Sequence, residues 1–293
     1  MNAAASRPRV AFQGERGAFS EEAAVRLLGE GIELVPRPTF DSLFAAIGDG
    51  AADFLLAPVE NTLAGTVTAS LDLLVESGLE ASGEIILPIT HCLIGAPAAT
   101  FEMIRSVESH PVALAQCERF LRAHPRIAGR AALDTAGSVR DVVRSGDPTR
   151  AAIAGRRAAE IWGGKILLEH IEDHPENYTR FLLLSRSPRP SENANRLSLV
   201  VELPHAPGAL YRAVGVFARR SINLLKIESR PIAGRPWQYR FYLDLQASLG
   251  DAATREALGE LRQSADRVLT LGCYPAHEAE KREAATGAKN PDE

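Results

Sequence analysis

Lysine is scarce in this 293-residue chain: of 33 Lys and Arg residues only four are lysine (Lys165, Lys226, Lys281 and Lys289), against 37 Asp and Glu and a formal net charge of −4. Neither the first 190 residues nor the remainder has the basic excess that binding to nucleic acid or an anionic membrane demands, so neither is expected as a partner. Cysteine is almost absent too. Cys92, Cys117 and Cys273 lie far apart, with no Cys-x-x-Cys and no zinc-like Cys/His spacing, so free thiols are expected, with no disulfide framework and no metal. No apolar run approaches the roughly 18–20 residues of a membrane span, and the opening Met-Asn-Ala-Ala-Ala-Ser-Arg-Pro lacks the apolar core of a secretory signal. A cytoplasmic protein is expected. There is no dinucleotide fingerprint and no Walker motif, so no cofactor is expected.

What is present is an ordinary globular composition, 45% apolar and 24% charged, in a chain long enough for two or three folding units. The first 190 residues alternate short apolar runs with helical patterns. Val10 and Phe12 read as a strand, Gly14 to Gly17 as a turn and Ser20-Glu21-Glu22 as a helix start; the runs 53–59, 84–94, 151–154, 166–171 and 181–184 read as further strands, and 112–121 as a helix. That alternation predicts an α/β fold with mainly parallel sheets. Residues 187–195 lose apolar periodicity and contain two prolines, as a linker would. Beyond them the order is β-α-β-β-α-β over residues 196–276, the ferredoxin-like arrangement. The charged, small-residue tail 277–293 reads as disordered.

Several segments of this sequence resemble prephenate dehydratase: Gly14 to Ser20, Pro58-Val-Glu-Asn-Thr-Leu-Ala-Gly65, Ser109-His-Pro-Val-Ala-Leu-Ala-Gln-Cys117, Asp134-Thr-Ala-Gly-Ser138 and Asn177-Tyr-Thr-Arg-Phe181. Gly208-Ala-Leu210 and Ile222 to Pro231 resemble the phenylalanine-binding ACT domain that follows that enzyme. Seven segments in the family's order are a specific signal where any one would be weak. The resemblance implies a two-lobed catalytic region of periplasmic-binding-protein type over residues 8–186, with its site in the inter-lobe cleft: one lobe of about 8–88 plus 176–186, the other of about 89–175. It also implies an ACT regulatory domain at 196–276. So few residues precede the first strand that no fused mutase or dehydrogenase domain is expected.

Prephenate is a dianion that loses carbon dioxide and hydroxide together, which asks for a hydrogen-bond donor at the leaving hydroxyl and for anion recognition, but for no redox group. The resemblance assigns the donor to Thr179, with Ser109 and Gln116 holding and polarising the substrate. Read alone, Thr179 is equally a β-branched residue entering a strand, and Ser109 and Gln116 a helix start and a polar helix position. The substrate-binding expectation falls on Glu60, Asn61, Thr62, Gly65, Thr135, Ala136 and Phe181. The loops at Gly14–Ser20, Glu60–Gly65 and Asp134–Ser138 each follow a strand and precede a helix, where backbone N–H groups and the helix dipole attract anions.

For the effector, L-phenylalanine, the expected contacts are Gly208, Ala209, Leu210, Asn223, Glu228, Ser229, Arg230 and Pro231, placed between paired ACT domains. A homodimer or homotetramer follows, because such a site needs a second copy. Two other readings stay open: an arogenate dehydratase using the same chemistry, and a non-catalytic amino-acid-responsive binding protein.

Overall fold

The computed structural model describes residues 7–188 and 191–277; the expected tail beyond His277 and two linker positions lie outside the described residues. The chain begins with β1 (Arg9–Gln13), α1 (Phe19–Leu28), β2 (Glu33–Arg37), α2 (Phe40–Gly48), β3 (Phe54–Asn61), the short β4 (Gly65–Thr66), α3 (Thr68–Ser77) and β5 (Glu80–Pro88). It then crosses to a second body: β6 (Cys92–Gly95), β7 (Ser106–Ser109), α4 (Pro111–Ala115), α5 (Glu118–Ala123), β8 (Ala128–Ala131), α6 (Thr135–Ser145), β9 (Arg150–Ala154), α7 (Arg156–Trp162) and β10 (Lys165–Leu168). It returns on β11 (Tyr178–Ser185) and closes with β12 (Arg196–Glu202), α8 (Ala209–Ala218), β13 (Asn223–Ile232), β14 (Arg235–Gln246), α9 (Ala252–Ser264) and β15 (Arg267–Tyr274).

Local sequence accounts for the element ends. A reciprocal Thr39/Ser42 capping box opens α2, and Asp134 caps α6 through the Gly137 N–H while Gly146, at φ 65°, ends it. β3 lies between β1 and β11, and its run Leu55 to Val59 is buried on both faces.

The strands form two sheets. Five pair in the order β10-β6-β9-β7-β8, and the other ten form one sheet ordered β13-β14-β12-β15-β5-β11-β3-β1-β2, with β4 beside β3. The expectation of mainly parallel sheets is corrected: β1 pairs in parallel with β2 and β3, but β11 is antiparallel to both β3 and β5, and β6 is antiparallel to β9 and β10. The reason is the double crossing. The chain leaves the first body on β5 and comes back on β11, so the returning strand must run against its neighbours.

The large sheet continues into the C-terminal βαββαβ unit through one parallel contact, Gly272 against Ala81. A Cβ at Gly272 would sit 2.4 Å from the Ala81 carbonyl oxygen, so only glycine permits this approach. Packing crosses the same seam: Leu55, Leu74, Leu182 and Leu184 share one core with Val200, Tyr242, Leu271 and Tyr274. No helix among the described residues is long and apolar enough to cross a membrane.

At the centre of the seam lies Arg180. Its guanidinium donates to Glu84 (2.6 Å), to Asp244 and to the Tyr274 hydroxyl (2.9 Å); Arg196 also reaches Glu84, and Ser198 bonds both Asp244 and Tyr274. Glu84, Asp244, Ser198 and Tyr274 are all buried. Burial opposes the charge on Arg180, yet Tyr274, Asp244 and Glu84 together hold its pKa above the ordinary value, while burial pushes the Tyr274 phenol up. Removing one member of a buried, hydrogen-bonded charge cluster leaves its partners uncompensated, at a cost of about 3–5 kcal/mol. Arg180→Met should therefore lose about that much unfolding free energy in urea; a loss under about 1 kcal/mol, the range of exposed pairs, would contradict the assignment.

The three cysteines are free thiols, with Cys92 and Cys117 buried. Burial pushes the Cys92 thiol up to about 11 and raises Cys117 and Cys273 as well. The folded chain thus keeps thiol protons that the unfolded chain releases, so this contribution to stability is complete at neutral pH and is lost as pH rises from the unfolded thiol value of about 9 towards 11. Native protein at pH 8 should leave Cys92 and Cys117 unalkylated by iodoacetamide and expose both in urea, read by mass spectrometry.

Candidate functional site

A cavity of about 390 Å³ opens where β1 and β3 end and β11 begins, with its opposite wall made by the second body. Gln13, Phe19, Asn61, Thr179 and Phe181 line one side; His91, His110, Gln116 and Thr135 line the other. Strand ends at a change of sheet direction are where α/β proteins gather ligands.

The glycine loop after β1 ties the two bodies together. Gly17, at φ 88°, approaches α7 so closely that a Cβ would lie 2.7 Å from the Ala158 Cα, and Trp162 Nε1 donates to the Arg16 carbonyl (2.8 Å). Ser20 does not cap α1, since the helix already begins at Phe19 with no side-chain cap. Glu21 does the equivalent work: fully buried, it accepts from the Gly17 N–H (3.0 Å), Arg16 (2.8 Å) and Arg157 (2.9 Å). Arg157 belongs to the second body.

Thr179 sits inside β11, opposite Asn61 on β3 and Leu87 on β5. Asn61 Oδ1 accepts the backbone N–H groups of Leu63 (3.0 Å) and Ala64 (2.7 Å), while its Nδ2 reaches Asn177 Oδ1 (2.8 Å), the Tyr178 carbonyl (3.1 Å) and Thr179 Oγ1 (3.0 Å). Asn177 Nδ2 continues to Gln116 Oε1 (3.0 Å), which also meets His91 Nε2 (2.9 Å). Five side chains from both bodies form one hydrogen-bonded chain along the cavity. Facing the Asn61 amide nitrogen, which cannot accept, Thr179 has its own hydrogen to donate elsewhere, and its side chain lines the cavity.

The expected substrate residues divide. Asn61, Thr135 and Phe181 line the cavity with Thr179 and Gln116. Thr135 is the first residue of α6, whose N-terminus brings the positive end of an eleven-residue helix to the wall. Ala136 is fully buried behind it. Thr62 clamps the β3–β11 junction, donating to the Glu176 carbonyl (3.0 Å) and accepting from the Tyr178 N–H (2.9 Å). Gly65, at φ 81°, pairs with Asn61 in β4. Glu60 turns the other way, ion-paired with Lys226 of β13 (3.0 Å).

Ser109 stands apart from the cavity wall. It ends β7, is fully buried, and its hydroxyl donates to the Ile153 carbonyl (2.6 Å), so here it pins β7 to β9 directly before the turn that carries His110. Nor is 112–121 one helix. Asp173 accepts the N–H groups of Glu118 (3.0 Å) and Arg119 (2.9 Å), starting a new helix and leaving Gln116 as the C-cap of α4. That break turns Gln116 into the cavity. His91 escaped the sequence reading, and Asn177 opened a matched segment without being assigned a role; the two lie at the two chain crossings. An asparagine at the head of a matched segment is the signal that could have pointed to it, and the structure buries it fully.

The effector residues also fall in two groups. Gly208, at φ 76°, caps α8, and Ala209 and Leu210 line a 150 Å³ pocket with Tyr239 and Phe241. On β13, an edge strand of the large sheet, exposure alternates: Asn223, Ser229 and Pro231 face outward, while Glu228 and Arg230 face the first body. There Glu228 accepts from the Thr66 hydroxyl and Arg230 reaches Asp72 (3.4 Å). Within one chain the two groups share no described cavity.

Comparison with known proteins agrees with this geometry. The prephenate dehydratase family profile matches residues 10–189 and the ACT domain profile residues 197–263. Arogenate dehydratase/prephenate dehydratase 1, chloroplastic, of Arabidopsis thaliana is 40% identical over 286 residues, covering 92% of this chain and 72% of the relative. Among solved structures, prephenate dehydratase from Arthrobacter aurescens in complex with L-Phe superposes with a TM-score of 0.82 at 31% identity, covering 91% of this chain and 89% of the other. A structure described as GqqA, a novel type of quorum quenching acylase, superposes at 0.84 with 34% identity, covering 92% and 98%. The chain belongs to the prephenate dehydratase family, with an ACT domain behind its dehydratase region.

Proposed function

We propose that this chain converts prephenate to phenylpyruvate, a carbon–oxygen lyase step towards L-phenylalanine, in the cavity between the two bodies. We divide it as the sequence suggests, with a catalytic region over 8–186, a linker at 187–195 and the regulatory ACT unit over 196–276. The carrying observation is that Thr179 Oγ1 accepts from Asn61 and so keeps its hydrogen for an incoming oxygen. In the reaction the bond to the ring carboxylate breaks, its electron pair enters the ring, and the opposite carbon–oxygen bond breaks as the ring becomes aromatic. The departing hydroxide is stabilised by the Thr179 O–H and leaves as water with a proton from solvent. Phe19 and Phe181 give the ring an apolar surface, and the N-terminus of α6 with Thr135 faces a carboxylate.

Prephenate is favoured over arogenate by the wall itself. The sole carboxylate among the described lining residues is Asp134, one oxygen of which accepts the Gly137 N–H, so an ammonium group would meet a single carboxylate, and that one shared with the N-terminus of α6. An acyl-transfer role fits less well, because a hydroxyl that accepts from an amide is not activated by a base.

We assign regulation by L-phenylalanine to the ACT unit, between paired subunits of a cytoplasmic oligomer. Gly208, Ala209 and Leu210 of one chain would complete the outward face of β13 on another, and Leu225 and Ile227 on that face are exposed apolar residues. The inward face contacts Glu60, which precedes Asn61, and Thr66, which pairs with Glu60, giving effector occupancy a short path to the cavity.

Purified protein given prephenate at neutral pH should produce phenylpyruvate, and should turn over arogenate more slowly. Thr179→Ala should lower kcat about 100-fold or more with a smaller change in KM; an inert wild type, or a mutant equal to it, overturns the assignment. L-Phenylalanine should change both turnover and sedimentation, and the regulatory reading fails if it alters neither.

A further inference from the structure

The hydrogen-bonded chain along the cavity has a direction, and that direction is dictated by two backbone groups. The N–H groups of Leu63 and Ala64 can only donate, and both end on one Asn61 side-chain atom. That atom must be Oδ1, because the amide nitrogen in its place would set donor against donor twice. Asn61 Nδ2 is thereby the group facing Asn177 at 2.8 Å, which makes the facing atom Asn177 Oδ1; the Tyr178 carbonyl, an obligate acceptor at 3.1 Å, agrees. Asn177 must then offer Nδ2 to Gln116, so the Gln116 atom at 3.0 Å is Oε1. The last contact, His91 Nε2 at 2.9 Å from the same oxygen, requires a hydrogen on Nε2.

We infer that His91 is a positioning residue that donates from Nε2 to Gln116 and so locks the Gln116 amide with its nitrogen towards the substrate. The inference rests on the reaction proposed above and deepens it: Gln116 Nε2 and the Thr179 hydroxyl become two donors of fixed polarity facing an oxygen-rich anion. Among the described side-chain contacts, His91 alone holds Gln116 from the side of the second body. The ring that does so is itself held, edge-on to Phe19 at 5.7 Å and 83°, with the His91 backbone N–H bound to Glu172 Oε2 (2.9 Å). Were Gln116 to turn over, its carbonyl oxygen would face the anion and its NH2 would meet the donors of Asn177 and His91.

The inference gives His91 no proton to transfer, and that separates it from an acid role. Glutamine places an amide nitrogen near the position of a histidine Nε2, whereas asparagine is too short to reach it. His91→Gln should retain kcat within about threefold of wild type, while His91→Asn and His91→Phe should lose about 10- to 100-fold, the range of a lost hydrogen bond acting on a charged species. The direct readout needs no substrate. In full-length protein labelled with 15N-histidine, the His91 resonance, assigned by its absence from His91→Gln, should report the neutral Nε2–H tautomer. Asn61→Asp keeps the acceptor for Leu63 and Ala64 but removes the donor to Asn177, so every amide downstream reverses and His91 should shift to Nδ1–H. An Nδ1–H tautomer in the wild type, an unchanged tautomer in Asn61→Asp, or wild-type kcat in His91→Phe overturns the inference. Because the tautomer is read without turnover, this failure is distinct from failure of the proposed reaction, which phenylpyruvate formation alone decides.

Discussion

One buried guanidinium fixes how the parts of this molecule sit together. Arg180 lies on the strand that returns from the second body and joins Glu84 of the outgoing strand to Asp244 and Tyr274 of the ACT unit. A cation in that position is stable only while all three partners are present, since taking it out of water costs several kcal/mol that only close, well-oriented partners repay. Successive residues of a strand face opposite ways, so the residue that anchors the seam and the residue that faces the cavity must be neighbours. Thr179 and Arg180 are that pair. The position of the Thr179 hydroxyl is thus set by the same strand that the regulatory unit grips from behind.

The seam also explains which parts of the fold were legible. Apolar runs identified β3 and β11 as buried strands and the C-terminal order as βαββαβ, because patterning reports which face of an element is covered; the run 84–94, read as one strand, is β5 and β6 in different sheets, with the first chain crossing between them. It carries no record of strand direction, so a chain that crosses between bodies and returns reads like one that winds steadily, and the antiparallel placement of β11 was missed. The join between the sheets depends on Gly272 against Ala81, a contact between residues 191 positions apart that no local pattern encodes.

Within the site, motif residues divide according to what backbone constraints do with them. Thr179, Asn61 and Gln116 reach the cavity, while Ser109 has its hydroxyl on Ile153 and Thr62 bridges two strands. Each of the latter two holds in place the residue that follows or faces it, a role that resembles substrate contact when only sequence is visible. The roles of His91 and Asn177 were illegible for the converse reason. A histidine beside a cysteine and an asparagine before a tyrosine have no local meaning until both chain crossings are brought together.

A site of neutral donors suits a reaction that expels hydroxide from a dianion. Charged side chains on the wall would bind the ground-state carboxylates as firmly as the transition state and gain little rate from it. Hydroxyl and amide donors held in a fixed sense cost no reorganisation when negative charge moves from the carboxylate, through the ring, to the departing oxygen. Their sense must be fixed from outside the site, because an amide free to turn offers its acceptor as readily as its donor. The backbone N–H groups of Leu63 and Ala64 supply that reference on one side, and the framework around β6 and α4 supplies it on the other. Alignment of the donors therefore depends on how the two bodies meet, and any shift of the strands held by Arg180 acts on it.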